Sequence, residues 1–348
     1  MNRLKHVGRV VLLLLSVTTS LLVAEWITST WLREGLQCES RQRAATRALL
    51  EIVERDGVRF RARPNARVTI GAVECCNNEL GLRGASVGEE RAAGTFRVLC
   101  IGDSTTYGLG VPEPATWVRR LEADLNSTAP SGLRIEVVNA GVPAYNTRDE
   151  LALYRSLADR LRPDLVVLGF YGNDLERLGF HVATDGSVLP DPFPVPDAWN
   201  PVLLRSWLFR RVCVSACEWM ASRGTYVRAK GDNLAMPARW LHEMAQEASA
   251  RRTPFAIFEI PTLAGGPKIT TRLDPSEYPD REVSAWLAQV AAREEVPFLS
   301  LVAALSGPSL PRLRISASDQ HPNAFASQLM ATAIGAFLRE RRLVPAAP

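Results

Sequence analysis

From Phe96 onward, short apolar runs alternate with helix-patterned stretches, and this alternation restricts the fold more than any other feature. FRVLCI (96–101) is closed by Gly102, and LRIEVV (133–138), LVVLGF (165–170), FAIFEI (255–260) and a short run at 297–301 follow. Runs this short and apolar suit strands buried on both faces of a sheet. Between them, Trp117, Leu121 and Leu125 follow Pro114 at helical spacing. Leu151, Tyr154, Leu157 and Leu161 follow a Thr147/Glu150 capping box, and further helical patterns cover 238–250, 280–294 and 323–339. Strand and helix in this order imply an α/β fold, a five-stranded parallel sheet covered on both faces.

A chain of 348 residues with 47% hydrophobic and 22% charged residues is ample for one such domain and its appendages. The net charge of +4 is spread along the chain without a basic stripe, which argues against a nucleic-acid partner. Near the N-terminus, Arg3 and Lys5 precede an apolar run from Val10 to Ala24 that weakens through Trp26 and Trp31. Its length and flanks favour an uncleaved membrane anchor over a removed signal. The basic start places the N-terminus in the cytoplasm and the remainder on the extracytoplasmic side. Three parts are expected: the anchor or signal segment at 1–33, a lead-in at 34–94, and the α/β domain at 95–345. Within the lead-in, 34–58 reads as a charged helix and 61–91 as loop and short strand. The interval 175–237 breaks the rhythm with a Pro-rich piece and an amphipathic stretch at 203–220, and is expected to be a helical insertion over the ligand-binding edge.

Six cysteines stand at 38, 75, 76, 100, 213 and 217. Cys100 reads as a core residue, Cys213 and Cys217 as packing on a helix, and the disulfide connectivity stays open. No cluster suggests a metal, and nothing calls for a cofactor.

Histidines narrow the chemistry, because the chain has four. His6 precedes the anchor, His181 lies in the insertion, and His242 falls inside a helix. His321 stands in the polar loop Ser318-Asp319-Gln320-His321-Pro322-Asn323, after the fifth strand. An acid beside such a histidine can orient the imidazole and stabilise its cation. Gly102-Asp103-Ser104 directly follows the first strand, and its serine needs a base to become a nucleophile. Asn139 to Ala144 follow the second strand in a tight loop that can aim a backbone N–H inward. Gly172-Asn173-Asp174 follow the third strand, where an asparagine can donate to an oxyanion. All four pieces share the carboxyl edge of the sheet.

GDSTTYGLGV, NAGVPAYNT, FYGND and DQHPNA, in this order, resemble the four blocks of the SGNH (GDSL-like) hydrolase superfamily. Asn78 to Gly84 (NELGLRG) resembles a segment that precedes the GDS strand in membrane-anchored bacterial members. The resemblance spans roughly Asn65 to Leu343. It implies a three-layer α/β/α sandwich with flavodoxin-like strand order and no cofactor. It also implies Ser104 as nucleophile, His321 as base, Asp319 as orienting acid, and Ser104, Ala144 and Asn173 as the oxyanion hole. Gly141 and Asp103 are secondary candidates. Two departures stand out. The carboxylate is two residues before the histidine where the family usually has three, and the glycine of the second block aligns with Ala144 rather than Gly141.

The expected function is hydrolysis of an O-acyl ester, acetyl among the candidates, on a small-molecule, glycan or lipid substrate. Two rival readings are a periplasmic O-acetyltransferase acting on an envelope polysaccharide and a non-catalytic carbohydrate- or lipid-binding module. A nucleotide-binding protein is disfavoured, since neither G-x-G-x-x-G nor a lysine-bearing P-loop follows the first strand.

Overall fold

The computed structural model describes residues 2–31, 45–46, 48–55, 58–175, 181–182, 188–189, 205–209, 211–212, 234–263, 272–316 and 319–347. They belong to two units, Met1–Ala44 with Phe180–Tyr226 and Ala45–Gly179 with Val227–Pro348.

In the first unit, a helix at Asn2–Trp31 exposes Leu12, Leu13, Leu14, Leu22 and Trp26. The stretch His6–Trp31 is long and apolar enough to cross a membrane. Near its end, the Glu25 carboxylate accepts from Ser206 Oγ at 2.6 Å, Trp207 N at 2.7 Å and Leu208 N at 3.0 Å. Most of the expected insertion, with Cys213 and Cys217, lies outside the described residues, as does Cys38.

The second unit holds the sheet. Its strands are β1 (Thr95–Gly102), β2 (Arg134–Gly141), β3 (Leu165–Phe170), β4 (Phe255–Glu259) and β5 (Phe298–Ser300). All are parallel, in spatial order β2-β1-β3-β4-β5, which is the flavodoxin-like arrangement. The packed helices are α1 (Trp117–Ser127), α2 (Thr147–Leu161), α3 (Ala235–Ala250), α4 (Arg281–Arg293) and α5 (Ala324–Glu340). Side-chain alternation along β1 divides the core. Val98 and Cys100 pack with Trp117 and Leu121 of α1 and Ile334 of α5. Leu99 and Ile101 pack on the opposite face with Leu151 of α2, Met244 of α3 and Leu287 of α4. The architecture is therefore a three-layer α/β/α sandwich.

Helix starts differ from their sequence signals in two places. Pro114 lies in a 3₁₀ turn at Glu113–Ala115, and Thr116 caps α1 through its hydroxyl. At α2 the cap is Asn146, whose Oδ1 accepts from Arg148 N at 3.1 Å and Asp149 N at 3.2 Å. Thr147 is already helical and donates its hydroxyl to Asp174 O at 2.9 Å. Glu150 closes no capping box; its side chain is fully buried. Asparagine caps at least as well as threonine, so the helix begins one residue earlier.

The helix expected over 34–58 is also corrected for its described part. Residues 45–46 and 48 are helical, but Leu50–Arg55 pairs antiparallel with Val58–Ala62. An Asp-Gly pair separates these strands, the dipeptide that favours tight hairpins. A second hairpin, Arg67–Ile70 with Val73–Cys76, follows it.

The carboxyl edge of the sheet is shaped by three glycines in register. Gly102 of β1 pairs with Gly141 of β2 and Gly169 of β3. A Cβ on Gly141 would overlap Tyr107 N, and a Cβ on Gly102 or Gly169 would overlap Thr106 Oγ1. Together they let the next turn of chain settle directly onto the strand ends. Gly141→Ala meets backbone that cannot rotate away, and overpacking of this kind costs about 1 to 3 kcal/mol. Thermal unfolding should show a lower melting temperature, by about 2 to 4 °C for each kcal/mol lost in a domain of this size.

Candidate active site

The turn on those glycines is a short helix, Ser104–Tyr107. Asp103 caps it, with Oδ1 accepting from Thr105 N at 2.8 Å and Thr105 Oγ1 at 2.6 Å. Gly108 ends it in the left-handed region, φ 77°, its N–H donating to Ser104 O. Ser104 is therefore the first helical residue after β1, held at the sheet edge.

His321 reaches it from the loop before α5. Its Nε2 lies 2.8 Å from Ser104 Oγ, and its Nδ1 lies 2.6 Å from Asp319 Oδ1. With Nδ1–H donating to the carboxylate, Nε2 is left as an acceptor for the serine proton. The same Asp319 oxygen accepts His321 N at 3.1 Å, so one oxygen holds both the ring and its backbone. This local turn absorbs the short spacing between acid and base. Around it, Asp319 N donates to Ser316 Oγ at 2.9 Å and Ile315 N to His321 O at 3.0 Å. Asn323 caps α5 and also donates to the carbonyls of Arg312 and Arg314. His321 and Asp319 keep 28% and 13% of their side-chain surface exposed.

The other sequence candidates fall as follows. Ala144 sits in the turn after β2 at φ 71°, a region that disfavours side chains and suits the glycine the family usually carries there. Gly141 N is committed to Asn139 Oδ1 at 3.0 Å, which leaves Gly141 a packing position rather than an inward donor. Asn139 Nδ2 donates to Thr106 O at 3.0 Å, so the second block grips the Ser104–Tyr107 helix. Asn173 lies in the 3₁₀ turn Gly172–Leu175 that follows β3; its side chain is outside the described part of the structure. Asp103 is fully buried and acts as the cap already described. His242, by contrast, is on the outer face of α3, with Nδ1 2.6 Å from Glu294 Oε2. Among the described residues, no group of three or more His, Cys, Asp and Glu side chains is arranged to hold a metal ion.

Arg83, for which the sequence suggested no role, is part of this construction. Its guanidinium is buried, donating through Nη1 to Tyr107 O at 2.6 Å and Gly108 O at 2.5 Å, and through Nη2 to Val111 O at 2.5 Å. It also lies 4.6 Å from the centre of the Tyr107 ring. A cation at the carboxyl end of this short helix gives the Val111 carbonyl a partner, adds a second donor to the Tyr107 and Gly108 carbonyls, which also accept from Asn139 Nδ2 and Val111 N, and opposes the local dipole. The arginine stood inside a quoted segment, but its partners are backbone atoms about 25 residues away, which no local pattern identifies.

The family model for GDSL-like Lipase/Acylhydrolase matches residues 100–329, about two thirds of the chain. The chain belongs to that family of SGNH hydrolases. No curated protein matches it at a significant level. Among solved structures, that of TesA is 21% identical, covers 71% of this chain and 99% of its own, and has a TM-score of 0.44. The psychrotrophic esterase EstA from Pseudoalteromonas is 13% identical, with coverage of 71% and 98% and a TM-score of 0.43. The lipase/acylhydrolase from Enterococcus faecalis is 16% identical, with coverage of 71% and 96% and a TM-score of 0.41.

Two substitutions test this scaffold. Ala144→Gly keeps the backbone N–H and removes the left-handed penalty, so urea denaturation should show stability raised by up to about 1 kcal/mol. Arg83→Met strands the buried Val111 carbonyl and removes one donor each from Tyr107 and Gly108, and should lower stability by about 1 to 3 kcal/mol in the same measurement.

Proposed function

We propose that this protein is a serine-dependent ester hydrolase acting on an O-acyl ester through an acyl-enzyme. The observation that carries the reading is the continuous line from Ser104 Oγ through His321 to Asp319, with links of 2.8 and 2.6 Å. In this reading His321 Nε2 takes the Ser104 proton as Oγ attacks the ester carbonyl. The imidazolium formed is stabilised by Asp319. Charge on the tetrahedral oxygen is met by the backbone N–H groups of Ser104 and Ala144 and by the Asn173 side chain. Collapse expels the alcohol, which receives the proton from His321. Water, activated by the same base, then releases the acid and frees Ser104.

Acetyl is one candidate for the acyl group in this reading, and the alcohol belongs to a small molecule, glycan or lipid. The apolar N-terminal helix supports an anchored enzyme with its catalytic domain on the extracytoplasmic side. Residues 1–33, 34–94 and 95–345 are its proposed parts.

A fluorophosphonate probe should label Ser104, identified by peptide mapping, and Ser104→Ala should lose both label and turnover of short-chain nitrophenyl esters. Asp319→Asn should keep the label site but lower kcat by about 10³ to 10⁴ through the wrong imidazole tautomer. Label on another serine, or none on folded protein, would refute the assignment.

A further inference from the structure

Two of the loops that carry reacting groups hold a buried tyrosine, and the lead-in segment receives the hydroxyl of both. Tyr107 ends the helix that begins at Ser104, and its Oη donates to Asn77 Oδ1 at 2.9 Å. Tyr145 directly follows Ala144, and its Oη donates to Phe60 O at 2.9 Å. Both side chains are almost wholly buried, yet neither belongs to the two core clusters that join the sheet to its helices. Tyr107 clusters instead with Leu49 and Ile70 of the lead-in, and Tyr145 with Phe60, their ring centres 5.4 Å apart.

The receiving groups are themselves fixed. Asn77 Nδ2 donates to Leu49 O at 3.3 Å and to Arg63 O at 3.0 Å, which ties the two hairpins around the acceptor of Tyr107. Phe60 lies in the strand Val58–Ala62, paired with Leu50–Arg55. Burial pushes both phenols above the usual tyrosine range, so each hydroxyl keeps its proton and remains a donor.

Ala144 gives this arrangement its bearing on the chemistry. At φ 71° its backbone is in a region that a side chain disfavours, and such a conformation persists only where the surroundings impose it. On one side, Val142 N is bonded to Gly102 O at 2.9 Å. On the other, Tyr145 is held through its ring and hydroxyl by Phe60.

We infer that the lead-in hairpins are a brace for the reacting groups, acting through two positioning residues. Tyr145 sets the direction of the Ala144 N–H, and Tyr107 sets the helix that carries Ser104. The inference rests on the hydrolase reading above. It makes the lead-in part of the active site's construction rather than a spacer in the chain. Without the Tyr145 hydroxyl, Ala144 relaxes toward negative φ and its N–H turns away from the developing oxyanion. An interaction realised only in the transition state is lost, which lowers kcat and leaves KM in place.

The test uses the full chain and a nitrophenyl ester. Tyr145→Phe keeps the ring and removes the bond; kcat should fall about tenfold, with KM changed by less than about twofold. Tyr107→Phe should lose less, about threefold, because Asp103, Asn139 and Arg83 also hold its helix. Val344→Ala, a truncation in the core between the sheet, α1 and α5, lowers stability without touching either tyrosine and should keep native kcat below its melting range. Hydrogen exchange of the amides in 142–146 should be faster in Tyr145→Phe than in native protein or Val344→Ala. If Tyr145→Phe does not fold, Phe60→Leu, which removes the ring contact and keeps the backbone acceptor, should show the same pattern with a smaller loss.

Native kcat in Tyr145→Phe, a rise in KM that accounts for the loss, or an equal loss in Val344→Ala would each overturn the brace. Fluorophosphonate labelling of native protein keeps the two readings distinguishable. Failure to label Ser104 removes the hydrolase reading, while hydrogen exchange still decides whether the Tyr145 hydroxyl fixes the turn at Ala144.

Discussion

The close seating of the helix Ser104–Tyr107 on the carboxyl edge of the sheet is the constraint from which the rest of the site follows. It requires glycine at matched register where three adjacent strands approach their carboxyl ends, Gly141, Gly102 and Gly169, since a methyl group at any of them would overlap the helix. Parallel pairing of β1 with both neighbours supplies that register. Ser104 thereby sits at the centre of the edge, within reach of a histidine that arrives 217 residues later in the chain.

Seating a helix on a buried edge removes its polar ends from water, and the structure compensates from three directions. Asp103 satisfies the amino end, Asn139 the carbonyl of Thr106, and Arg83 the carbonyls at the carboxyl end. A buried carbonyl without a partner costs about 1 to 3 kcal/mol, so these contacts decide whether the helix can stay there. Arg83 and Asn139 are distant from it in sequence while Asp103 directly precedes it, and together they hold Ser104 at the sheet edge, 2.8 Å from His321.

Asp319 shows how local geometry tolerates a departure from a family pattern. Its one oxygen accepts both the imidazole N–H and the backbone N–H of His321, closing a tight turn. A longer spacing between acid and base brings the carboxylate in from further along the loop; here the turn itself does so. Ala144 is the complementary case, an alanine held at φ 71° where glycine would be relaxed. Its neighbours in the second block are fixed by Asn139 and by Val142 N bonding to Gly102 O at 2.9 Å, so the backbone is set by context rather than by the residue.

Sequence by itself determined the strand runs, their order, the helices between them, and the meeting of Ser104 with His321 at one edge. The runs and helices are local features, since apolar runs, periodicity and punctuation act within a few residues of each other, and the meeting follows from both loops leaving carboxyl ends of parallel strands. Tertiary structure decided what each polar residue does once buried. Glu150 reads as the end of a capping box because a glutamate in a first helical turn usually faces water. Asp174 and Asp103, brought by other strands, place it in a closed pocket instead. Leu50–Arg55 reads as helix until Val58–Ala62 pairs with it, and Arg83 carries no local sign of its role until the carbonyls of Tyr107, Gly108 and Val111 close around it. The physical reason is the same in each case: burial and hydrogen-bond partners are properties of the neighbours that folding supplies, and those neighbours lie outside any local window of the chain.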